Sequence, residues 1–97
     1  MREKILTIEK SKAKNKKYRA IVSNGKKKRV VNFGDNRYEQ FKDSTELQLY
    51  KHKNHGDKKR RKNYFKRHSG VKTKREALKK EKGDKITAKY LSHKYLW

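Results

Sequence analysis

The stretch YRAIVSNGKKKRVVNFG, from Tyr18 to Gly34, holds two β-branched, aromatic runs on either side of an Asn-Gly pair. Asn24-Gly25 is the preferred loop of a two-residue hairpin, because both loop positions need positive φ. Pairing about that loop sets Tyr18 opposite Val31, Ala20 opposite Arg29 and Val22 opposite Lys27. Strand side chains alternate between faces, so Tyr18, Ala20, Val22, Val31 and Phe33 share one apolar face of the ribbon. Arg19, Ile21 and Val30 occupy the other. KILTIEK, from Lys4 to Lys10, supplies a further β-rich run, and the three together predict an antiparallel meander that ends at Gly34-Asp35-Asn36.

Beyond the meander the signals turn helical. Tyr38 and Phe41 are spaced for one helical turn facing the sheet. Ser44 or Thr45 can cap a second short helix carrying Leu47, Leu49 and Tyr50. Gly56-Asp57 offers an N-cap to KKRRKNYFKRH, Lys58 to His68, and Ser69-Gly70 stops that helix. Tyr64, Phe65 and His68 form its narrow apolar edge. Thr73-Lys74-Arg75-Glu76 fits a capping box opening a helix that closes near Gly83. Thr87 can cap a last helix that turns Tyr90, Leu91 and Tyr95 toward the core. The expected class is α+β: one small domain over residues 1–97, with a β ribbon over 1–34 and three or four short helices over 35–97.

Charge dominates the composition. The 97 residues carry 32 Lys and Arg against 10 Asp and Glu, a net charge of +22, while only 30 % are hydrophobic. Such a chain repels itself and calls for a polyanion, an acidic protein surface or an anionic membrane as partner. Its modest apolar content predicts a domain of marginal stability on its own. Cysteine is absent, which excludes disulfides, thiolate nucleophiles and Cys-type zinc sites. Met1 leads into mixed charge rather than a signal-like apolar run, and no stretch approaches the roughly 20 apolar residues that span a bilayer. Membrane contact is therefore expected to be peripheral only.

Ten Lys and Arg and no acid lie between Lys10 and Val31, and twelve lie between Lys51 and Arg75 with only Asp57 opposing them. The expected polyanion contacts are Lys26, Lys27, Lys28 and Arg29 in the hairpin, and Lys58, Lys59, Arg60, Arg61, Lys62, Lys66 and Arg67 in the first long helix. Interleaved aromatics suit phosphate neutralisation with occasional stacking. No recognition-helix or zinc-finger spacing points to sequence-specific readout. His52 and His55 sit three apart, but no thiol or acidic cluster completes a metal set. His, Asp and Asn between His52 and Asn63 give a nuclease its best foothold, yet the acids are scattered and no Ser-His-Asp or glycine-rich phosphate motif occurs. The expectation is a non-enzymatic protein with no catalytic residues, metal, cofactor or small-molecule substrate.

Three stretches together resemble a known family. VVNFG (Val30 to Gly34), HKNHGDKKRRKNYFKRHSG (His52 to Gly70) and TAKYLSHKYLW (Thr87 to Trp97) are similar to short basic proteins encoded by nucleocytoplasmic large double-stranded DNA viruses, the ending to marseillevirus-like members. The resemblance implies a virion component: a minor capsid or cement protein on the inner side of the shell, made in the host-cell virus factory. In that role Tyr18, Phe33, Tyr64, Phe65, Tyr90, Leu91, Tyr95 and Trp97 would anchor capsid proteins. The basic patches would meet genomic DNA, acidic capsid surfaces or the inner membrane. The alternative is a basic DNA-binding, genome-packaging protein, with a ribosomal-type RNA binder behind it.

Overall fold

A computed structural model describes residues 3–83 and 85–97. Three strands, β1 (Lys4–Lys10), β2 (Lys16–Ser23) and β3 (Lys28–Asp35), form an antiparallel sheet in the order β1-β2-β3. A long irregular segment follows, broken only by a 3₁₀ turn at Lys51–Lys53. Helices α1 (Lys58–Ser69), α2 (Lys74–Glu81) and α3 (Ala88–Tyr95) complete the chain. The α+β class is as the sequence predicts.

The hairpin register differs from expectation by two residues. Tyr18 pairs with Phe33, Ala20 with Val31 and Val22 with Arg29, so the loop holds four residues, Asn24 to Lys27. The Asn24 side chain explains the longer loop, because its oxygen accepts from the amides of Lys26 and Lys27, both at 2.9 Å. The wider loop also keeps Lys27 out of the pleated core face and brings Phe33 across from Tyr18. A slip of two leaves every side chain on its expected face, since the strand repeat is two. The apolar face is thus the one read from the sequence. In β1 a bulge between Ile5 and Thr7 turns Leu6 outward and returns Ile8 to the core side, opposite Ala20.

The core forms where α3 lies over that face. Tyr18, Ala20, Val22, Val31 and Phe33 pack with Ile86, Leu91 and Leu96. A clasp fixes the entry to α3: Glu3 accepts from Arg29 at 2.6 Å and from the Ile86 amide at 2.7 Å, while Arg29 also donates to the Ile86 carbonyl at 2.6 Å. The helix caps follow the sequence. Asp57 accepts from the amides of Lys59 and Arg60, Thr73 from Glu76 and Thr87 from Tyr90. Gly70 takes the left-handed conformation that ends α1.

Two expected helices are absent. Tyr38 is 65 % exposed in a turn, and Leu47 and Leu49 lie exposed on an irregular loop. Hydrogen bonds of Asp43 and Thr45, some local and some to the distant Tyr18 and Asn54, hold the segment in another form. The Thr45 amide and hydroxyl both donate to Asp43 Oδ1, and the Gln48 amide donates to Thr45 Oγ1, competing with helical bonding.

Gly34 is where sheet and helix come closest. Its φ is +77°, and a β-carbon built there would stand 2.7 Å from Leu96 Cδ1 and 3.3 Å from Lys17 Cβ. Gly34→Ala is expected to cost about 2 kcal/mol through left-handed backbone strain and displacement of Leu96. Thermal unfolding by circular dichroism should show a midpoint about 10 °C lower; an unchanged midpoint would mean that the approach is slack.

Candidate functional site

Charge on this surface is unevenly matched. Seven acidic side chains, Glu3, Glu9, Asp35, Glu39, Asp43, Asp57 and Glu81, accept hydrogen bonds within the chain. Among the described residues only Arg19, Arg29, Arg37, Arg60 and Lys89 reach a carboxylate at ion-pair distance. The remaining lysines and arginines among the described residues make no ion pair.

Two clusters stand out among these cations. One is the hairpin tip, where Lys26, Lys27 and Lys28 are exposed. The other is a groove of about 380 Å³ between α1 and the start of α2, walled by Lys58, Arg61, Lys62, Lys72, Lys74 and Arg75 with Phe65 and Thr73 beneath. No acid lines it. Lys74 is held below the usual lysine range by burial and then by the like charges of Arg61 and Lys94. Its ammonium donates to the Lys94 carbonyl at 2.9 Å, and Arg61 lies 4.5 Å over the Phe41 ring. Lys58, Lys62, Lys72 and Arg75 are thus the freer cations of the groove.

Of the polyanion contacts expected from sequence, Lys26, Lys27, Lys28, Lys58, Lys59, Lys62, Lys66 and Arg67 are exposed, with Lys58 and Lys62 in the groove. Three have partners within the protein. Arg29 belongs to the clasp with Glu3 and Ile86, Arg60 pairs with Glu39 at 3.1 Å, and Arg61 is half-buried against aromatic rings. Lys72, Lys74 and Arg75 were not singled out by sequence, though they fall in the same acid-poor run.

The aromatic residues serve the protein's own interior. Tyr18, Phe33, Phe65 and Leu91 are buried, which corrects their expected role as partner anchors. Tyr90, Tyr95, Tyr64 and Trp97 are half-buried. The rings of His55, Trp97, Tyr64 and His68 follow one another at centroid separations of 5.2, 4.1 and 4.5 Å, with Trp97 and Tyr64 stacked at 5°. Trp97 therefore fastens the chain end to α1. Beside it, Lys16, Gly34, Asp35, Arg60, Arg67 and Lys89 frame an open cleft of about 690 Å³.

Two polar networks lie beneath this surface, and neither was read from the sequence. In the first, Lys17 donates to the Tyr38 carbonyl and to Gln40 Oε1, and Gln40 donates to the Tyr50 carbonyl and to Asn54. Asp43 accepts from Tyr18 at 2.5 Å and from the Tyr50 amide at 3.1 Å, besides its two bonds from Thr45. Burial brings the Lys17 ammonium down to about 8. The second joins the three helices. Tyr64 lies 2.9 Å from His93 Nδ1, Ser69 lies 2.8 Å from His93 Nε2, and Ser69 donates to Glu81 at 3.2 Å. Glu81 can only accept and Ser69 has one hydroxyl hydrogen. The consistent assignment is therefore Tyr64 donating to Nδ1 and Nε2–H donating to Ser69. His93 is fully buried and Ser69 4 % exposed, so the Ser-His contact is a packing element with no face open to a substrate.

No group of three or more His, Asp or Glu side chains among the described residues could hold a metal ion. No described helix is long and apolar enough to cross a membrane.

The fold and surface define a small, strongly basic α+β domain with clusters of unmatched cations in a groove and on a hairpin. The chain belongs to a family of unknown function, DUF5754, whose family model matches residues 6–68, from β1 through most of α1. No curated protein and no solved structure matches it.

Proposed function

We propose that this protein acts by binding rather than catalysis, neutralising the phosphate backbone of nucleic acid without reading its sequence. The observation that carries the reading is the groove between α1 and α2, where six cations converge and no carboxylate opposes them. A polyanion relieves their mutual repulsion, and released counterions supply the binding free energy. The groove and helix α1 present points of charge, which favour backbone contact over base readout.

Binding of a short DNA duplex, followed by fluorescence anisotropy across a salt series, tests this. With about six phosphates engaged, log K should fall against log salt with a slope near −5, about −0.9 per contact. Replacing Lys58, Lys62 and Lys72 with alanine should bring that slope about 3 nearer zero. No binding at low salt, or a slope that ignores these substitutions, would overturn the proposal.

A second reading is a virion structural protein that cements capsid proteins from inside, as the viral resemblance implies. What favours it is the outer face of the sheet. Leu6 and Val30 are half or more exposed, with Ile21 cross-paired to Val30, and together they form an apolar strip facing away from the core. A capsid component would remain in shells emptied of DNA, whereas a purely genome-bound protein would leave with the nucleic acid.

A further inference from the structure

We propose that one copy of this protein bridges two separate duplex segments, one at the hairpin tip and one at the α1–α2 groove. The inference rests on the phosphate-binding reading above and adds valency to it. The two cation clusters lie toward opposite ends of the molecule. Lys26, Lys27 and Lys28 project past the Ser23–Lys28 end of the sheet. Helix α1 is fixed near the other end, where Arg60 bonds Glu39 and shares the open cleft with Lys16, Gly34 and Asp35. The seven residue steps of β2, at about 3.3 Å each, separate those ends by about 23 Å. The longest dimension of the molecule, 41 Å, accommodates that spacing.

At physiological ionic strength charges are screened over about 8 Å, so clusters this far apart act as independent electrostatic sites. The outer sheet face between them is not a continuous basic track. Leu6, Ile21 and Val30 occupy it, and Arg19 there is neutralised by Glu9 at 2.6 Å. The inner face is covered by α3. A duplex seated in the groove therefore leaves the hairpin tip uncompensated and able to take a second one.

Two short duplexes of the same sequence, one carrying a fluorescence donor and the other an acceptor, are mixed with limiting full-length protein. Energy transfer should appear, and sedimentation should give a mass of one chain with two duplexes. Reversing the tip charges (K26E, K27E and K28E together) should abolish energy transfer while leaving a weaker one-to-one complex. Reversing the groove (K58E, K62E, K72E and R75E together) should likewise remove the ternary species. These side chains are solvent-facing, and matched thermal melts establish that both variants fold. A wild-type chain that binds one duplex and never a second would overturn bridging and leave phosphate binding standing. So would energy transfer that persists in either variant. A wild-type chain that binds no duplex would overturn both readings, and a two-chain complex would transfer the bridging to a dimer and overturn the single-copy proposal.

Discussion

Asp43→Ala is expected to remove about 3–5 kcal/mol of stability, the largest single loss in the chain outside the apolar core. The carboxylate is buried and accepts from the Tyr18 hydroxyl, the Thr45 amide and hydroxyl, and the Tyr50 amide. Alanine leaves all of these donors without their acceptor in a place water does not reach, and each such orphan costs about 1–3 kcal/mol before relaxation. Relaxation reduces the sum, since the freed Tyr18 and Thr45 hydroxyls can rotate toward other acceptors. A domain of this length has a total stability of about 5–15 kcal/mol, so the variant should sit near its unfolding threshold. Urea titration followed by circular dichroism measures the loss. Asp43→Asn should fall between wild type and alanine, because the amide keeps one acceptor but turns a second donor toward its neighbours. A loss under about 1 kcal/mol in the alanine variant would mean that the irregular segment is held by its backbone bonds alone.

The second large effect concerns pH. Burial holds the His93 imidazole down to about 4, against the opposing pull of Glu81 and with the help of His68, Lys89 and Lys74. In the unfolded chain it titrates near 6.5. Between those values the unfolded state binds a proton that the folded state refuses, so stability is complete above pH 6.5 and is lost as pH falls toward 4. The full loss is about 3 kcal/mol at 1.36 kcal/mol per pH unit. His55 and His68 are also lowered by burial and tilt the profile the same way. A comparison with His93→Gln isolates the contribution: the variant will be less stable at pH 7 but should show a shallower decline from 6.5 to 4. Parallel profiles for the two proteins would show that His93 is not the titrating group. The Asp35–Arg37 pair, with its carboxyl held down to about 2, breaks only at lower pH and does not enter this window.

Much of the architecture was legible because it follows from short-range rules. Asn24-Gly25, the alternation of Tyr18, Ala20 and Val22, and the caps at Asp57, Thr73 and Thr87 each act within a few residues. The hairpin register was off by two because the Asn24 side chain stabilises a loop wider than the minimal one, a choice that cross-strand packing of Phe33 on Tyr18 reinforces. The missing helices between Tyr38 and Tyr50 have a different cause. Asp43 and Thr45 are turn-forming residues, but their decisive partners, Tyr18 and Asn54, come from 25 and 11 positions away. No local pattern reports that. His93 was closer to being readable. His93 on α3 and Trp97 just past its end are four apart, and both meet Tyr64 of α1, beside the Leu91 and Tyr95 stripe that faces the sheet. As for the candidate site, the basic run from Lys51 to Arg75 was plain in the sequence. That Lys58 to Lys62 and Lys72 to Arg75 meet in one groove depends on the Gly70 turn and the α1–α2 angle, which charge counting does not contain.

The clasp of Glu3, Arg29 and Ile86 joins residues 83 positions apart, and the apolar sheet face is closed by side chains more than 50 positions downstream. Folding of this chain is therefore governed by slow, long-range closure rather than by its quickly formed hairpins. Until α3 arrives, Tyr18, Val31 and Phe33 stand open to any other chain. A net charge of +22 makes encounters between copies repulsive, so the same cations also keep half-folded copies of this protein apart.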